Sequence, residues 1–283
     1  MEPSTSQASR PSAKDRLAVA LDLPDAQQAL ALVDQLGHTC QWFKVGMELY
    51  YAAGNSLVQQ LRQRGFDVFL DLKLHDIPNT VAGAVRSATQ AGASLLTLHA
   101  SGGPAMLAAA AAAATAPGSP RLLAVTVLTS MDASELTAVG ISSTPAEQVL
   151  HLAQLAQAAG IHGMVCSAEE VSVLRTRLDP GTMLVIPGIR PAGAEIGDQK
   201  RIATPAAAIA RGASMLVVGR PITRAADPAA AAQAILDEID AEMEAQTEAK
   251  TEAKTVAQLD NENKVEKSGI LSASGKVSVN SPR

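Results

Sequence analysis

The stretch richest in potential chemistry is Asp71-Leu72-Lys73-Leu74-His75-Asp76-Ile77-Pro78-Asn79-Thr80, which ends an apolar run that begins at Val68. In an extended strand, residues two apart share a face, so Asp71 and Lys73 point one way while Leu70, Leu72 and Leu74 point the other. Two earlier apolar runs carry charge in the same manner: Asp22 closes Leu17–Leu21, and Lys44 interrupts Trp42-Phe43-Lys44-Val45-Gly46. On neighbouring strands about 4.8 Å apart, Asp22, Lys44, Asp71 and Lys73 would form an alternating array of acid and base. Desolvating such charges singly costs several kcal/mol each, and even a paired set often stabilises no better than a hydrophobic substitute. Chemistry therefore explains the cluster better than stability does. Two alternatives remain open from the residues alone. One is a set of buried ion pairs that fixes strand register. The other is metal ligation by Asp71 and Asp76, which the adjacent lysines oppose by already neutralising the carboxylates.

These residues need elements to hold them. From Leu17 to about residue 240, short apolar runs alternate with longer amphipathic or Ala-rich stretches. The runs predict eight strands: Leu17–Asp22, Trp42–Gly46, Val68–Lys73, Leu95–His99, Leu122–Leu128, Gly163–Ser167, Met183–Pro187 and Met215–Gly219. Helical spacing predicts Ala26–Leu36, Leu57–Arg64, Val81–Ala91, Pro104–Thr115, Pro145–Ala159, Ala168–Leu178 and Pro205–Arg211, several of them ending in Gly. Regular alternation means parallel strands with right-handed crossovers, and eight units in about 225 residues match a closed (β/α)8 TIM barrel. An open doubly wound sheet would carry a Gly-rich turn after its first strand. Here that turn reads Leu21-Asp22-Leu23-Pro24-Asp25. In a barrel the charged array lies at the C-terminal mouth, where such folds keep their active sites.

The domain organisation expected is an N-terminal extension over 1–14, a single catalytic barrel over 15–241 and a polar low-complexity tail over 242–283, helical at first and then disordered. In the tail, Thr247-Glu248-Ala249-Lys250 is repeated at once as Thr251-Glu252-Ala253-Lys254. Composition narrows the partners. Aromatic residues make up 2% of the chain and the formal charge is −5, which disfavours a nucleic-acid binder needing stacking surfaces and a basic face. No run reaches the ~18 apolar residues of a membrane helix, and residues 1–14 do not read as a signal peptide. Cys40 and Cys166 are too few for a disulfide framework or a four-cysteine zinc site and fit small buried thiols in a reducing cytoplasm.

A second cluster of candidate binding residues follows the last two strands. Pro187-Gly188-Ile189-Arg190 and Val218-Gly219-Arg220-Pro221-Ile222 stand where barrels of this type commonly bind phosphate through backbone N–H groups. Gly219 lets the backbone approach an anion, and Arg220 can grip it bidentately.

Together, Asp71-x-Lys73-x-x-Asp76-Ile77-Pro78-Asn79-Thr80, Phe43-Lys44-Val45-Gly46, Val127-Leu128-Thr129-Ser130-Met131, Pro187-Gly188-Ile189-Arg190 and Val218-Gly219-Arg220-Pro221-Ile222 closely resemble the bacterial-type orotidine 5′-phosphate decarboxylases, in family order from about Leu17 to Leu236. The resemblance implies a homodimer that converts orotidine 5′-monophosphate to uridine 5′-monophosphate and CO2 in pyrimidine biosynthesis, with no metal or organic cofactor. It implies that Lys73 donates the proton to C6, and that Lys44, Asp71 and Asp76 complete the charged network. Asp76, Ile77 and Thr80 would be donated across the dimer interface. Asp22 and Lys44 would hold the ribose hydroxyls, with Thr129 and Ser130 near the pyrimidine. Gln199, Gly219 and Arg220 would bind the phosphate, and Pro187 and Arg190 would belong to the loop at the mouth. A metal-dependent sugar-phosphate decarboxylase or aldolase on the related barrel is the competing enzyme reading, and a catalytically silent nucleotide-binding barrel the competing reading of another class.

Overall fold

A computed structural model describes residues 12–192 and 201–273. The chain divides into two compact units, Met1–Asp240 and Ala241–Arg283. The first contains eight strands: β1 Leu17–Ala20, β2 Trp42–Gly46, β3 Asp67–Leu74, β4 Leu95–His99, β5 Arg121–Val125, β6 Gly163–Val165, β7 Met183–Ile186 and β8 Met215–Val218. They pair in sequence order and β8 closes on β1, every pair parallel. The architecture is the (β/α)8 barrel expected from the alternation.

The helices are α1 Ala26–Leu36, α2 Met47–Gln63, α3 Pro78–Ala91, α4 Gly103–Ala113, α5 Ala133–Ala138, α6 Pro145–Ala158, α7 Val171–Arg177, α8 Pro205–Ala210, α9 Arg220–Thr223 and α10 Pro228–Ala273, the last two following β8. Local sequence explains several starts. The Asp25 carboxylate accepts the Gln28 N–H at 2.9 Å, and Thr144 and Glu147 form a reciprocal capping box on α6. The helix predicted over Leu57–Arg64 is the second piece of α2. Gly54, at φ 62°, interrupts that helix and separates it from an earlier piece the sequence did not signal. The short α5 and α9 were likewise not foreseen, and neither is long enough to show a helical period.

Strand ends differ from expectation in one systematic way. The sequence carried the apolar runs through Asp22, Leu128, Ser167, Pro187 and Gly219, whereas β1, β5, β6, β7 and β8 stop at Ala20, Val125, Val165, Ile186 and Val218. Beyond those points the chain diverges toward its next helix, so the outermost residues face the mouth from loops.

Inside the barrel, alternate residues pack as one apolar cluster of Ala18, Ala20, Phe69, Leu95, Leu123, Val185, Met215 and Val217, with Trp42, Val165 and Met183 against it. This is a filled interior of small and branched side chains, as closed barrels of eight strands require. The opposite end from the mouth is tied by arginines. Arg175 donates to the carbonyls of Gly212 (2.8 Å) and Thr182 (2.6 Å) and to the Ser214 hydroxyl (2.7 Å), and Arg121 donates to those of His162 and Gly181, both at 2.9 Å.

In the first turns of α10, Ala232, Ile235, Leu236 and Ile239 are buried. Past Glu242, where the sequence reading places a polar tail, the chain continues helical to Ala273. The Thr247, Thr251 and Thr255 hydroxyls each donate to the carbonyl four residues back, at 2.9–3.0 Å.

Gly163 on β6 tests how tightly the barrel is closed. A Cβ there would lie 2.6 Å from both the Leu122 carbonyl oxygen and a Leu123 methyl, whereas one on Gly181 meets nothing within 4 Å. Gly163→Ala is expected to destabilise by about 1–3 kcal/mol through overpacking. Gly181→Ala should change stability by less than about 0.5 kcal/mol. Thermal unfolding of both variants beside the parent checks the contrast.

Candidate active site

Period-two alternation places the charges. From β1 to β4, the residue two beyond the last barrel-filling side chain of each strand is polar: Asp22 follows Ala20, Lys44 follows Trp42, Asp71 follows Phe69 and Thr97 follows Leu95. These four therefore form the layer directly above the apolar filling. Register brings them together, with Ala20 opposite Lys44 and Gly46 opposite Asp71.

The ion pairs form the expected alternating chain. Lys44 Nζ lies 3.0 Å from Asp22 and 3.7 Å from Asp71, and Lys73 Nζ lies 2.9 Å from each oxygen of Asp71. Burial is graded along it, from the exposed Asp22 side chain to the Lys44 and Asp71 side chains at 10% and 14% exposure. Burial alone would raise the Asp71 pKa. Lys44 and Lys73 outweigh it, with hydrogen bonds from Lys73 and Thr97, and hold the carboxyl below its ordinary value. Asp71 is thus an anion buried between two cations. Space is left for this on purpose at Gly46, where a Cβ would sit 3.1 Å from Lys44 Nζ.

Simple alternation fails at Lys73 itself. Between Leu70 and Leu74 the register with β4 shifts, four residues of β3 advancing against two of β4. Lys73 adopts φ 50°, the one non-glycine residue with positive φ among those described. A conformation of this kind costs of order 1 kcal/mol or more and persists where surroundings enforce it. Here the Lys73 N–H donates to the Thr97 hydroxyl at 2.9 Å, and that hydroxyl donates to Asp71 at 2.9 Å. Thr97 is fully buried. Sequence reasoning passed over it, although a polar residue at an inward position of an apolar strand was a readable signal.

Beside this network, His99 at the end of β4 lies 5.5 Å from His75, ring to ring. Burial, with help from His75 and Lys73 and against Asp71, lowers its pKa.

Two cavities meet over the network. One, of about 210 Å3, is lined by Lys44, Asp71, Lys73, Leu128, Thr129 and Pro187 among others. The second, of about 640 Å3, includes Asp22, Lys44, Pro187, Arg190, Gly219 and Arg220. Lys44, Pro187 and Val217 belong to both. A ligand with an anionic end and a compact polar end fits the pair: cations line the wide part and the lysine-aspartate chain floors the narrow one.

The remaining candidates fall outside these cavities. Ser130 is exposed and lines neither. Asp76, Ile77 and Thr80 stand exposed where β3 passes into α3, the Asp76 carboxylate accepting the Ile77 N–H at 2.6 Å. No ion pair among the described residues joins Asp76 to the network. Gln199 lies outside the described residues. Among those described, no group of three or more His, Cys, Asp or Glu is arranged to hold a metal ion.

Known proteins resemble this chain over the whole barrel. The profile of the orotidine 5′-phosphate decarboxylase / HUMPS family matches residues 15–235. The chain is 57% identical over 227 residues to the orotidine 5′-phosphate decarboxylase of Halorhodospira halophila, covering 80% of this chain and 96% of that protein. It is 52% identical over 227 residues to that of Nitrosococcus oceani, covering 80% and 98%. The crystal structure of orotidine 5′-phosphate decarboxylase from Lactobacillus acidophilus superposes with a TM-score of 0.72 at 41% identity, over 80% of this chain and 100% of that one. A closed parallel barrel, a lysine-aspartate chain at its mouth and a match spanning the whole barrel lead to one conclusion: the chain belongs to the orotidine 5′-phosphate decarboxylase / HUMPS family.

Proposed function

We propose that this protein decarboxylates orotidine 5′-monophosphate to uridine 5′-monophosphate, releasing CO2, as a step of pyrimidine biosynthesis. The observation that carries the reading is Asp71 bridging Lys44 and Lys73 at the floor of a cavity whose wider part is lined by Arg190 and Arg220. Its substrate carries a phosphate and a ring carboxylate, the two ends that such a cavity pair accommodates.

Loss of CO2 leaves an electron pair at C6 that the pyrimidine ring cannot delocalise well. Stabilisation must come from outside the ring. The Lys73 ammonium, fixed by Asp71 and by a constrained backbone, interacts more favourably with that developing charge than with the neutral C6 of the substrate, and then delivers its proton there. Asp71 aims Lys73 through hydrogen bonds to both carboxylate oxygens. Asp22 and Lys44 hold the ribose hydroxyls, Thr129 borders the pyrimidine with Ser130 next to it in the chain, Pro187 and Arg190 belong to the loop at the mouth, and Gln199, Gly219 and Arg220 serve the phosphate. Phosphate binding remote from C6 supplies energy that orients the reacting ring.

The active unit in this reading is a homodimer. Asp76, Ile77 and Thr80 are exposed and line neither cavity over the network, as residues donated to a partner's site would be. The compartment is a reducing cytoplasm, consistent with two free, buried cysteines, Cys40 and Cys166.

Purified protein given orotidylate in excess chelator is expected to release CO2, and Lys73→Ala to lower kcat by at least about 10²–10³-fold. Chelator-sensitive turnover of a keto-sugar phosphate in place of orotidylate would instead select the metal-dependent reading. Mixing equal amounts of inactive Asp76→Ala and Lys73→Ala protein, with subunit exchange, should restore about a quarter of the wild-type sites, because half the dimers are mixed and each carries one intact site. A site built within one chain would show no recovery.

A further inference from the structure

Arg201 connects the two ends of the site without belonging to either cavity over the network. Its guanidinium Nη1 pairs with Glu170 and its Nη2 donates to the Leu128 carbonyl at 3.1 Å. Leu128 and the adjacent Thr129 line the narrow cavity above Lys73. Two residues beyond Arg201, Ala203 bridges Ile189: the Arg190 N–H donates to the Ala203 carbonyl at 2.9 Å, and the Ala203 N–H to the Gly188 carbonyl at 3.4 Å. Gly188 and Arg190 line the wide, cationic cavity. Arg201 thus stands between the segment after β5 and the segment after β7.

Its anchor is built for rigidity. Glu170 accepts the Ser167 N–H at 2.9 Å and a short bond from the Ser167 hydroxyl, so the carboxylate is fixed to the end of β6 before it meets Arg201. The Glu170 and Arg201 side chains are 7% and 11% exposed. A buried pair of this kind recovers in Coulomb energy little more than it loses in desolvation and is weak evidence for a stabilising role. Arg201 Nε is in addition buried without a hydrogen-bond partner among the described residues. What the arrangement does supply is geometry: a planar fork with one tine on a fixed carboxylate and the other on a loop carbonyl.

Resting on the decarboxylase reading above, we propose that Arg201, anchored by Glu170, is a positioning residue that sets the Leu128–Thr129 segment at the ring end of the substrate in register with the Gly188–Arg190 segment at its phosphate end. It touches neither end itself. A substrate that uses both ends depends on that register, and one that lacks the phosphate does not.

The test compares kcat/KM for orotidylate and for the phosphate-free nucleoside orotidine, the latter at high enzyme over extended incubation. Arg201→Ala is expected to lower kcat/KM for orotidylate by about 10–100-fold, as sub-ångström to ångström misplacement does, and that for orotidine by less than about threefold. Arg201→Lys keeps a charge for Glu170 but not the fork. It should reproduce most of the loss, and it serves in place of Arg201→Ala if that variant does not fold, as judged by its thermal unfolding. Equal losses on both substrates mean a merely structural role and overturn the proposal, as does an unchanged kcat/KM for orotidylate. Wild-type protein that fails to decarboxylate orotidylate overturns the functional reading, an outcome distinct from either.

Discussion

The structure depends on the cost of keeping three charges out of water. Asp71, Lys44 and Lys73 lie above an apolar filling, where none would be tolerated as a lone ion. Each is acceptable only because the others are at fixed distances, and the distances are fixed because β1 to β4 are hydrogen-bonded in one register. A slip of one residue in any of these strands would turn its polar residue outward and leave its neighbours uncompensated. The closed barrel is what forbids that slip. Ion pairing and barrel closure are in this sense one constraint, and the cavities above inherit their shape from it.

Within that constraint the site is asymmetric. Asp22, exposed to solvent, can exchange its lysine for other partners at low cost. Asp71 cannot, since burial penalises its charge and two ammonium groups together with Thr97 offset the penalty. In the proposed mechanism, holding hydroxyls and aiming a proton are thus divided between two carboxylates of the same array by exposure. This is the usual way environment assigns different work to like groups.

Much of this was legible in the sequence, because both the barrel and the charged layer are periodic. Alternating apolar runs identified all eight strands, and a charge at the far end of an apolar run marked Asp22, Lys44 and Asp71 as mouth residues. Apart from Thr97, what escaped was whatever periodicity does not encode. Strand ends were overrun where apolar loop residues such as Val127 continue a hydrophobic run after strand pairing has ended. The register shift at Lys73 has no local signature, since lysine is a poor residue for positive φ and only the Thr97 contact across β4 enforces it. Arg201 and Glu170 are 31 residues apart in sequence and ordinary in their own contexts, so their pairing is visible only in three dimensions.

The backbone at Lys73 also bears on how the chain can change. Glycine or asparagine at this position would relieve the backbone strain but would also strip the buried Asp71 carboxylate of one of its two cations, so the strain cannot be removed without breaking the ion pair that accompanies it. Relief of strain and loss of charge compensation therefore oppose each other at this one position. A more stable descendant would have to find its gain elsewhere, and the arginine-tied far end of the barrel, away from the two cavities, is one such place.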